Sequence, residues 1–313
     1  MADAIVNNLA GISIVSQNVN SLNLSSRSQI NPKLDRTRIK LLSIFALKAD
    51  IILLQDVRLC DKSSYFINFA MRNSIKSYHV FHNSSKDSRG VCILICAKAD
   101  YVIHNRYSDL DENILLLNMT INKSNICVGS IYGPKQVDDH SFINKTMAKI
   151  LELNSSNFVV GGDFNTVTCQ NEVNSNIDLK SVSNIPNPRH CAAINHHIDN
   201  GNAIDPFRVL NPNLKEYSYI PFPRNFKNRS RLDFFLTSPD NLSKIDDIKY
   251  LPILNKVFDH KPVHFSFRGK LKNFRPRIEN QLLDIDGLYT QIGISTYETV
   301  LRYLHPDEIV MRD

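Results

Sequence analysis

The amino-acid sequence predicts a layered α/β fold. Three observations support this prediction: strand-like apolar runs recur along the chain, helix-like segments lie between some of them, and the composition is ordinary for a globular protein. Hydrophobic residues make up 42% and charged residues 22% of the 313 residues, which argues against the collagen-like, low-complexity and disordered classes. Strands interspersed with helices favour a layered α/β arrangement over an all-α or all-β fold.

The predicted elements can be justified in chain order. Residues 12–16 alternate apolar and polar side chains, as a half-buried strand does. Asn31 followed by Pro32 is typical of an N-cap with proline at the first helical position, and predicts a helix to about residue 48. The apolar run at residues 50–55 is typical of a strand buried on both faces. Further strands are predicted at residues 91–97, 114–121, 126–131, 158–161, 232–237 and 264–267, and a second helix at residues 141–153.

The composition also divides the chain into three parts. We expect residues 1–11 to be an N-terminal extension, residues 12–267 to form one domain, and residues 268–313 to be a basic linker followed by an acidic tail. Five positive charges lie within residues 268–277, and seven acidic residues follow them. Within the domain, the polar stretch at residues 182–231 predicts loops around short helices.

Several protein classes are not expected. No apolar run approaches the roughly 18 residues needed to span a membrane, and the first 20 residues contain no Lys or Arg, which argues against a cleaved secretory signal. Six cysteines without a C-x-x-C pair favour neither a disulfide scaffold nor a structural zinc site. We therefore expect a protein of a reducing compartment that is not secreted and has no membrane partner.

Four polar clusters follow apolar runs, where a sheet presents its loops. They lie at residues 18–20, 55–56, 161–165 and 259–260. Each cluster alone indicates little, since Asp and Asn at strand ends usually satisfy nearby backbone groups. Together they supply carboxylates, amides and one histidine, which suit a hard cation such as Mg²⁺. A bound Mg²⁺ and an oriented water are a common means of cleaving a phosphodiester.

Six short motifs in a fixed order resemble the exonuclease–endonuclease–phosphatase superfamily. The motifs are QNVNSLN (17–23), LQD (54–56), IYGP (131–134), GDFN (162–165), SRLD (230–233) and DH (259–260). Within the superfamily they are most similar to the apurinic-endonuclease-like domain of LINE-type (non-LTR) retrotransposon polyproteins. Supporting segments are SRGV (88–91), IDPFR (204–208) and YSY (217–219), in which Phe207 and Tyr219 replace the tryptophans usual in that family.

The resemblance covers residues 12–267 and implies a DNase I-like fold, a four-layered α/β sandwich of two packed mixed β-sheets flanked by helices. It implies a Mg²⁺-dependent endonuclease, with Mn²⁺ as a substitute, that nicks one strand of double-stranded DNA at a retrotransposon target site and leaves a 3′-hydroxyl. In such polyproteins a reverse transcriptase domain follows, so residues 268–313 would be the junction to it. Action on DNA implies a nuclear location after synthesis in the cytoplasm.

The resemblance also implies metal and water-activating roles. Asp56 would be the metal-binding carboxylate, with Asn18 and Asp259 beside it. Asp163 would position or deprotonate the attacking water, and Asn165 would orient that water or hold the scissile phosphate.

The remaining implied roles concern the phosphate and the DNA. Tyr132 would hydrogen-bond a phosphate oxygen, and His260, steered by Asp233, would donate to the phosphate as negative charge builds there. The residues expected to contact DNA are Arg208, Arg224, Lys227, Arg229, Arg231, Asn20 and Ser218. Basic and aromatic residues interleaved in residues 208–231 suit a DNA backbone and an inserted wedge. For the aromatic rings, a solvated loop with the rings docked on the core is an equal alternative, whereas the Arg residues favour DNA contact. A second basic group comprises Lys33, Arg36, Arg38 and Lys40.

Two residues depart from the family pattern. Asp56 stands where glutamate is usual, and its shorter side chain needs compensation because Mg²⁺ ligands lie at about 2.0–2.1 Å. Phe258 stands where serine usually precedes the Asp-His pair. Three alternatives therefore stay open: an apurinic-site repair nuclease, a DNA-binding relic that has lost catalysis, and a phosphatase of lipid or inositol phosphates.

Overall fold

A computed structural model gives the fold of most of the predicted domain. It describes residues 9, 11–22, 32–59, 77–85, 89–135, 140–154, 156–168, 177–180, 185–221, 228–253 and 257–268. The expected N-terminal extension (all but residues 9 and 11), linker (all but residue 268) and acidic tail lie outside this part of the chain, so the domain boundaries remain predictions. Within the described residues, no helix is both long and apolar enough to cross a membrane.

One β-sheet has six strands in the order β12-β13-β1-β2-β4-β3. Its central pair, β1 and β2, is parallel, and every other neighbouring pair is antiparallel. The strands are β1 Ser13–Asn18, β2 Ile51–Gln55, β3 Tyr78–Asn83, β4 Val91–Cys96, β12 Ile245–Tyr250 and β13 Val263–Phe267.

The second sheet has five strands in the order β11-β8-β7-β6-β5. It too contains one parallel pair, β7 with β8, among antiparallel neighbours. Its strands are β5 Tyr101–Ser108, β6 Ile114–Ile121, β7 Ser124–Tyr132, β8 Phe158–Asp163 and β11 Asp233–Thr237. A short ribbon pairs β9 Leu179–Lys180 with β10 Arg229–Ser230.

Alternating side chains explain how the layers pack. Ile14, Leu53 and Ile93 point from the first sheet into a core shared with Val128 and Phe235 of the second. The intervening residues of the first sheet pack against helix α1, Pro32–Ala46. The outer face of the second sheet packs against α2 His140–Asn154 and α3 Pro188–Asp199. This confirms the predicted two packed mixed sheets flanked by helices.

The predicted strands and helices agree with the structure to within about two residues at most ends, which is the usual uncertainty of such boundaries. Strands β3, β5 and β12 and the two-residue strands β9 and β10 were not predicted. Strands β3, β5 and β12 form sheet edges, and β5 exposes about every second side chain to solvent. The polar stretch at residues 182–231 contains a full 12-residue helix, α3, and the short α4, Pro206–Leu210.

Candidate active site

The ends of the parallel strands bring the polar clusters to one edge of the sandwich. Asn18 and Gln55 are the last register partners of β1 and β2, and Tyr132 and Asp163 are the last partners of β7 and β8. Strand β11 runs antiparallel to β8 and begins at Asp233, directly opposite Asp163. Parallel strands end at the same edge, so the register gathers the side chains within each sheet, and the packing of the two sheets joins the two groups through Asn18 and Asp163.

Asp163 lies at the centre of the site and is fully buried. Its Oδ2 accepts a 2.8 Å hydrogen bond from Nδ2 of Asn18, and its Oδ1 accepts a 2.9 Å bond from the backbone N–H of Asn165. Burial and the neighbouring charge of Asp233 raise the pKa of Asp163 to about 6, although His260 and both hydrogen bonds oppose the rise. The carboxyl group therefore titrates close to neutral pH.

His260 and Asp233 form a buried pair beside Asp163. Nδ1 of His260 lies 2.7 Å from Oδ2 of Asp233, and Nε2 lies 3.9 Å from Oδ2 of Asp163. Burial alone would lower the pKa of His260, but the charges of Asp233 and Asp163, the hydrogen bond to Asp233 and the charge of Asp259 raise it to about 9. The imidazole is therefore protonated at neutral pH, and its Nδ1–H is directed to Asp233.

The Tyr132 hydroxyl is held by Arg89, which belongs to the SRGV segment and had no predicted role. Nη1 of Arg89 donates a 2.5 Å hydrogen bond to the Tyr132 hydroxyl, and the guanidinium lies 5.7 Å from the ring centroid. Burial and the charge of Asp163 raise the pKa of Tyr132, so the phenol keeps its proton. Arg89 itself is exposed, and although partial desolvation alone would lower its pKa, the charges of Tyr132, Asp56 and Asp163 help to raise it.

Asn165 is positioned by a close approach of two backbone segments. Its Nδ2 donates a 2.6 Å hydrogen bond to the carbonyl of Gly133, and its φ of 50° is in the left-handed region. A Cβ atom at Gly133 would lie 2.0 Å from the carbonyl oxygen of Phe164, so only glycine fits there. The glycine of the IYGP motif thus permits the turn that carries Asn165.

The predicted metal ligands lie at the same edge, in three separate contacts. Oδ1 of Asp56 accepts a 3.3 Å hydrogen bond from Nε of Arg58, and Asp56 has a left-handed φ of 54°. Oδ2 of Asp259 accepts a 3.0 Å bond from Nδ2 of Asn20. Oδ1 of Asp259 is buried and has no hydrogen-bond partner among the described residues. Asn18 uses its amide on Asp163 and its Oδ1 on the backbone N–H of Asn20.

Beside these residues lie three side chains whose ligand-type atoms are close enough together to hold a metal ion. Within the described part of the chain, Asp163, Asp233 and His260 offer three ligand-type atoms within 4.8 Å of one another. The pair of His260 and Asp233 already shares a proton, and a protonated imidazole cannot bind a cation. The predicted assignment of the cation to Asp56, Asn18 and Asp259 therefore remains a prediction.

Three of the residues expected to contact DNA have a different role. Arg231 is fully buried and donates hydrogen bonds of 2.8 Å to Asp178 and 2.5 Å to Asp205. Arg208 is also buried and bonds the same Asp178 at 3.0 Å. Oγ of Ser218 accepts the backbone N–H groups of residues 232 and 233. These side chains hold the start of β11 in place, so the expectation that they contact DNA was wrong.

The other expected DNA contacts are unchanged as predictions. Asn20 is exposed and Arg229 is half-buried in β10. Arg224 and Lys227 lie outside the described residues. Sequence reasoning treated Lys40 only as part of a basic stretch, whereas its ammonium contacts the loop that follows β1. No periodicity or motif marks such a contact, because it depends on where α1 crosses the sheet.

No family model matches the chain, but its fold has clear counterparts among solved structures. An AP endonuclease from Leishmania major superposes with a TM-score of 0.61 at 17% identity over 83% of this chain and 89% of that one. An AP endonuclease from Archaeoglobus fulgidus superposes with a TM-score of 0.60 at 18% identity over 82% of this chain and 99% of that one. The 3′-5′ exonuclease NExo from Neisseria meningitidis superposes with a TM-score of 0.59 at 17% identity over 82% of this chain and 100% of that one. The chain therefore has the DNase I-like fold of the AP endonucleases and their exonuclease–endonuclease–phosphatase relatives.

Proposed function

We propose that this chain is a metal-dependent DNA endonuclease that hydrolyses a phosphodiester and nicks one strand. The observation that carries the proposal is the 3.9 Å approach of Oδ2 of Asp163 to Nε2 of His260. Their environments raise both pKa values in the way that hydrolysis needs, because the carboxylate titrates near neutrality and the imidazole stays protonated. A base and an acid held side by side suit hydrolysis of an ester that is already anionic.

Asp163 acts as the base that orients and deprotonates the attacking water. A base works best when its pKa lies near the working pH, and that of Asp163 is raised to about 6. The bonds from Asn18 and from the backbone of Asn165 fix both carboxylate oxygens in direction. A water that binds there is held in one orientation before it reacts.

His260 and Tyr132 donate to the phosphate as charge develops on it. Nδ1–H of His260 is committed to Asp233, which leaves Nε2–H for a phosphate oxygen. The Tyr132 hydroxyl accepts from Arg89, so its own hydrogen is available to a second oxygen. Fixed donors aimed at developing charge usually contribute most to catalysis.

The residues present fit a hard divalent cation such as Mg²⁺, with Mn²⁺ as a substitute. The donors at the edge are carboxylate and amide oxygens, which such cations prefer. The buried Oδ1 of Asp259 lacks a hydrogen-bond partner among the described residues, as expected of an oxygen reserved for a ligand. Asp56, Asn18 and Asp259 would hold the cation. When bound, it would neutralise charge on the phosphate and the departing oxygen.

The solved structures of similar fold support DNA as the substrate. Two of them are named as AP endonucleases and the third as a 3′-5′ exonuclease. A further structure from Neisseria is named as the 3′ phosphatase NExo bound to a product DNA hairpin. The net charge of +6 is compatible with a polyanionic partner.

We further propose that the nick is made at a retrotransposon target site and leaves a 3′-hydroxyl. The order of the six motifs supports an origin in a LINE-type polyprotein, and the basic residues at 268–277 suit a junction to a reverse transcriptase domain. Double-stranded DNA as the substrate implies a nuclear location after cytoplasmic synthesis.

Two alternatives have specific support. The names of the AP endonucleases favour a repair nuclease that cuts at abasic sites. The contact between Asp56 and Arg58 favours a relic, because a carboxylate already paired with a cation binds a second one less well. The shorter Asp56 side chain points in the same direction.

Nicking of supercoiled plasmid tests the proposal. We expect nicking with Mg²⁺, none with EDTA, and none by Asp163→Ala. The same protein is then given matched intact and abasic duplexes, and preference for the abasic duplex supports the repair nuclease.

Asp56→Glu separates the active enzyme from the relic. If the natural chain fails to nick but Asp56→Glu succeeds, the site is a decayed one on an intact scaffold. Mg²⁺-independent DNA binding with no nicking by either protein contradicts the endonuclease proposal.

A further inference from the structure

The loop after β1, residues 19–22, has every backbone N–H satisfied by the neighbouring strand end or by Asn18. Val19 donates to the carbonyl of Gln55 at 3.0 Å, and Ser21 to that of Asp56 at 2.8 Å. Residue 22 donates to residue 57 at 3.4 Å, and the N–H of residue 20 bonds Oδ1 of Asn18 at 2.9 Å. The loop therefore continues the parallel pairing of β1 with β2 past the sheet edge.

The four carbonyl groups of this loop are satisfied by two side chains of helix α1. Nζ of Lys40 donates to the carbonyl oxygens of residues 19, 20 and 21 at 2.7, 2.7 and 2.8 Å. Oγ1 of Thr37 donates to the carbonyl of Leu22 at 2.8 Å. Residues three apart share one helix face, so Thr37 and Lys40 reach four consecutive carbonyl groups together.

Three carbonyl oxygens of the loop surround the Lys40 ammonium, as such oxygens would surround a bound monovalent cation. A lysine has three N–H donors, and these three carbonyl oxygens match them in number. The side chain is only 5% exposed, and burying an ammonium is costly unless its donors are satisfied. Without this charge, three carbonyl dipoles would point at one another, while Asn20 and Ser21 would still have left-handed φ angles of 45° and 63°.

The same loop connects to most of the candidate ligands. It begins directly after Asn18, which bonds Asp163, and it contains Asn20, whose side chain bonds Asp259. Its backbone is tied to that of Asp56. The Lys40 ammonium also lies 5.8 Å from the centroid of the Phe258 ring, immediately before Asp259.

We propose that Lys40, assisted by Thr37, is the positioning residue of this site. Its ammonium acts as a built-in cation that fixes the loop that follows Asn18 and contains Asn20, and through Phe258 it supports the segment carrying Asp259. This role rests on the proposed endonuclease function. The space left by removing the ammonium would accept K⁺ or NH₄⁺ on the same three carbonyl oxygens.

Hydrogen exchange with peptide-level mass spectrometry tests the role without requiring activity. Lys40→Met keeps most of the apolar stem of the side chain and removes its charge. We expect the rate of hydrogen exchange at residues 18–22 to rise at least about tenfold, because the loss of one hydrogen bond to a charged group typically shifts an equilibrium by about that factor or more. Lys40→Ala also removes the stem and leaves room for an ion; in that variant, added NH₄⁺ or K⁺ should reverse part of the rise in exchange, and Na⁺, which is smaller, should reverse less. Lys145→Met, on the exposed face of α2, is the control that loses the same charge.

Kinetics provide the second measurement. We expect Lys40→Met to lower kcat for nicking at least about tenfold while KM for DNA stays near that of Lys145→Met, because Lys40 is buried and does not reach DNA. In Lys40→Ala, NH₄⁺ should restore kcat over the same concentration range in which it restores protection from exchange.

The outcomes separate this role from the proposed function. Unchanged exchange at residues 18–22 in Lys40→Met overturns the role of Lys40, whether or not the natural chain nicks DNA. If the natural chain does not nick but exchange rises and NH₄⁺ reverses it, the loop role stands and the endonuclease function fails. If Lys40→Met does not fold, Lys40→Gln, which also removes the charge, and Thr37→Val are measured instead. Unchanged exchange in both then counts against the role, and raised exchange in Thr37→Val supports it.

Discussion

Asn18 and Asp163, although 145 residues apart in the chain, are joined by a 2.8 Å hydrogen bond from the amide Nδ2 to the carboxylate Oδ2. Asn18 ends the parallel pair of the first sheet, and Asp163 ends that of the second. Two further contacts, between His260 and Asp233 and between Arg89 and Tyr132, join residues beside the same two sheets. The candidate site is thus assembled across the interface between the sheets.

Removing the Asn18 donor should shift the pH dependence of nicking. The bond from Asn18 lowers the pKa of Asp163, so Asn18→Ala should move the acidic limb of the pH profile to higher pH. Rates from pH 5 to 10 would measure the shift. Ser16→Ala, which changes another buried polar side chain of β1, is the control. A lowered rate with an unmoved acidic limb would contradict the assignment of Asp163 as the base.

The natural chain should have a bell-shaped pH profile. Asp163 must be ionised to accept a proton, so activity should rise as the pH passes about 6. His260 must be protonated to donate, so activity should fall as the pH passes about 9. Profiles of kcat/KM report the two groups in the free enzyme.

Asp233→Asn should move both limbs of that profile toward lower pH. The charge of Asp233 raises the pKa of both Asp163 and His260, and asparagine keeps the shape without the charge. A titration of the His260 ring by NMR would check the alkaline limb independently. Limbs that stay in place would show that the two pKa values have another origin.

Arg231→Met should lower the free energy of unfolding without changing the salt dependence of DNA binding. Removing the guanidinium leaves Asp205 buried without its ion-pair partner and Asp178 with Arg208 alone, and breaking a buried pair typically costs about 3–5 kcal/mol. Urea denaturation measures this loss, with the exposed Arg106→Met as the control. The salt dependence of DNA binding should match that of the control, because Arg231 is too deeply buried to touch a phosphate. A flatter dependence would restore the original expectation that it contacts DNA.

Charge reversal at Arg224 and Arg229 should flatten the salt dependence of DNA binding. Each lost phosphate contact lowers the slope of log K against log salt by about 0.9. Fluorescence anisotropy with a labelled duplex, in Ca²⁺ to prevent cleavage, measures the slope for Arg224→Glu and Arg229→Glu. Arg106→Glu makes the same change elsewhere. Equal slopes in all three variants would remove this segment from the DNA interface.

Gly133→Ala should impair activity beyond its effect on stability. The new methyl group would meet the backbone of Phe164, and overpacking of this kind costs about 1–3 kcal/mol. Because the Gly133 carbonyl holds Asn165, the rate should also fall in protein that is still folded. Gly129→Ala is the matched comparison, since its methyl group meets only side chains in mid-strand. Thermal denaturation and nicking rates of both variants separate the two effects.

The sequence was most informative about strands that are buried on both faces and about the polar motifs next to them. Continuous apolar runs such as Ile51–Gln55 and Ile114–Ile121 are buried on nearly every residue, so hydrophobicity alone indicates them. The motifs next to the other runs identified Asp163, Asp233 and His260; the register pairs Asp163 with Asp233, and a side-chain contact with Asp233 brings His260 to them. Edge strands such as Tyr101–Ser108 escaped prediction, because a polar, half-exposed strand has no distinctive pattern.

Charged side chains were harder to assign, because sequence gives the charge but not the partner. Arg231 lies in a basic stretch, yet its partners Asp178 and Asp205 are 53 and 26 residues away. Lys40 resembles any surface lysine of an amphipathic helix until the position of the loop at residues 19–22 is known. Burial of an arginine or a lysine depends on tertiary contacts, which a single sequence does not reveal.

The buried contacts of Arg231 also bear on which sequence changes the candidate site could tolerate. The guanidinium sits two residues before Asp233 and ties β11 to Asp178 and Asp205, so the start of that strand keeps its position when residues 222–227 vary. On the proposed endonuclease function, sequence changes at residues 222–227 would therefore leave the base and the acid at their 3.9 Å separation.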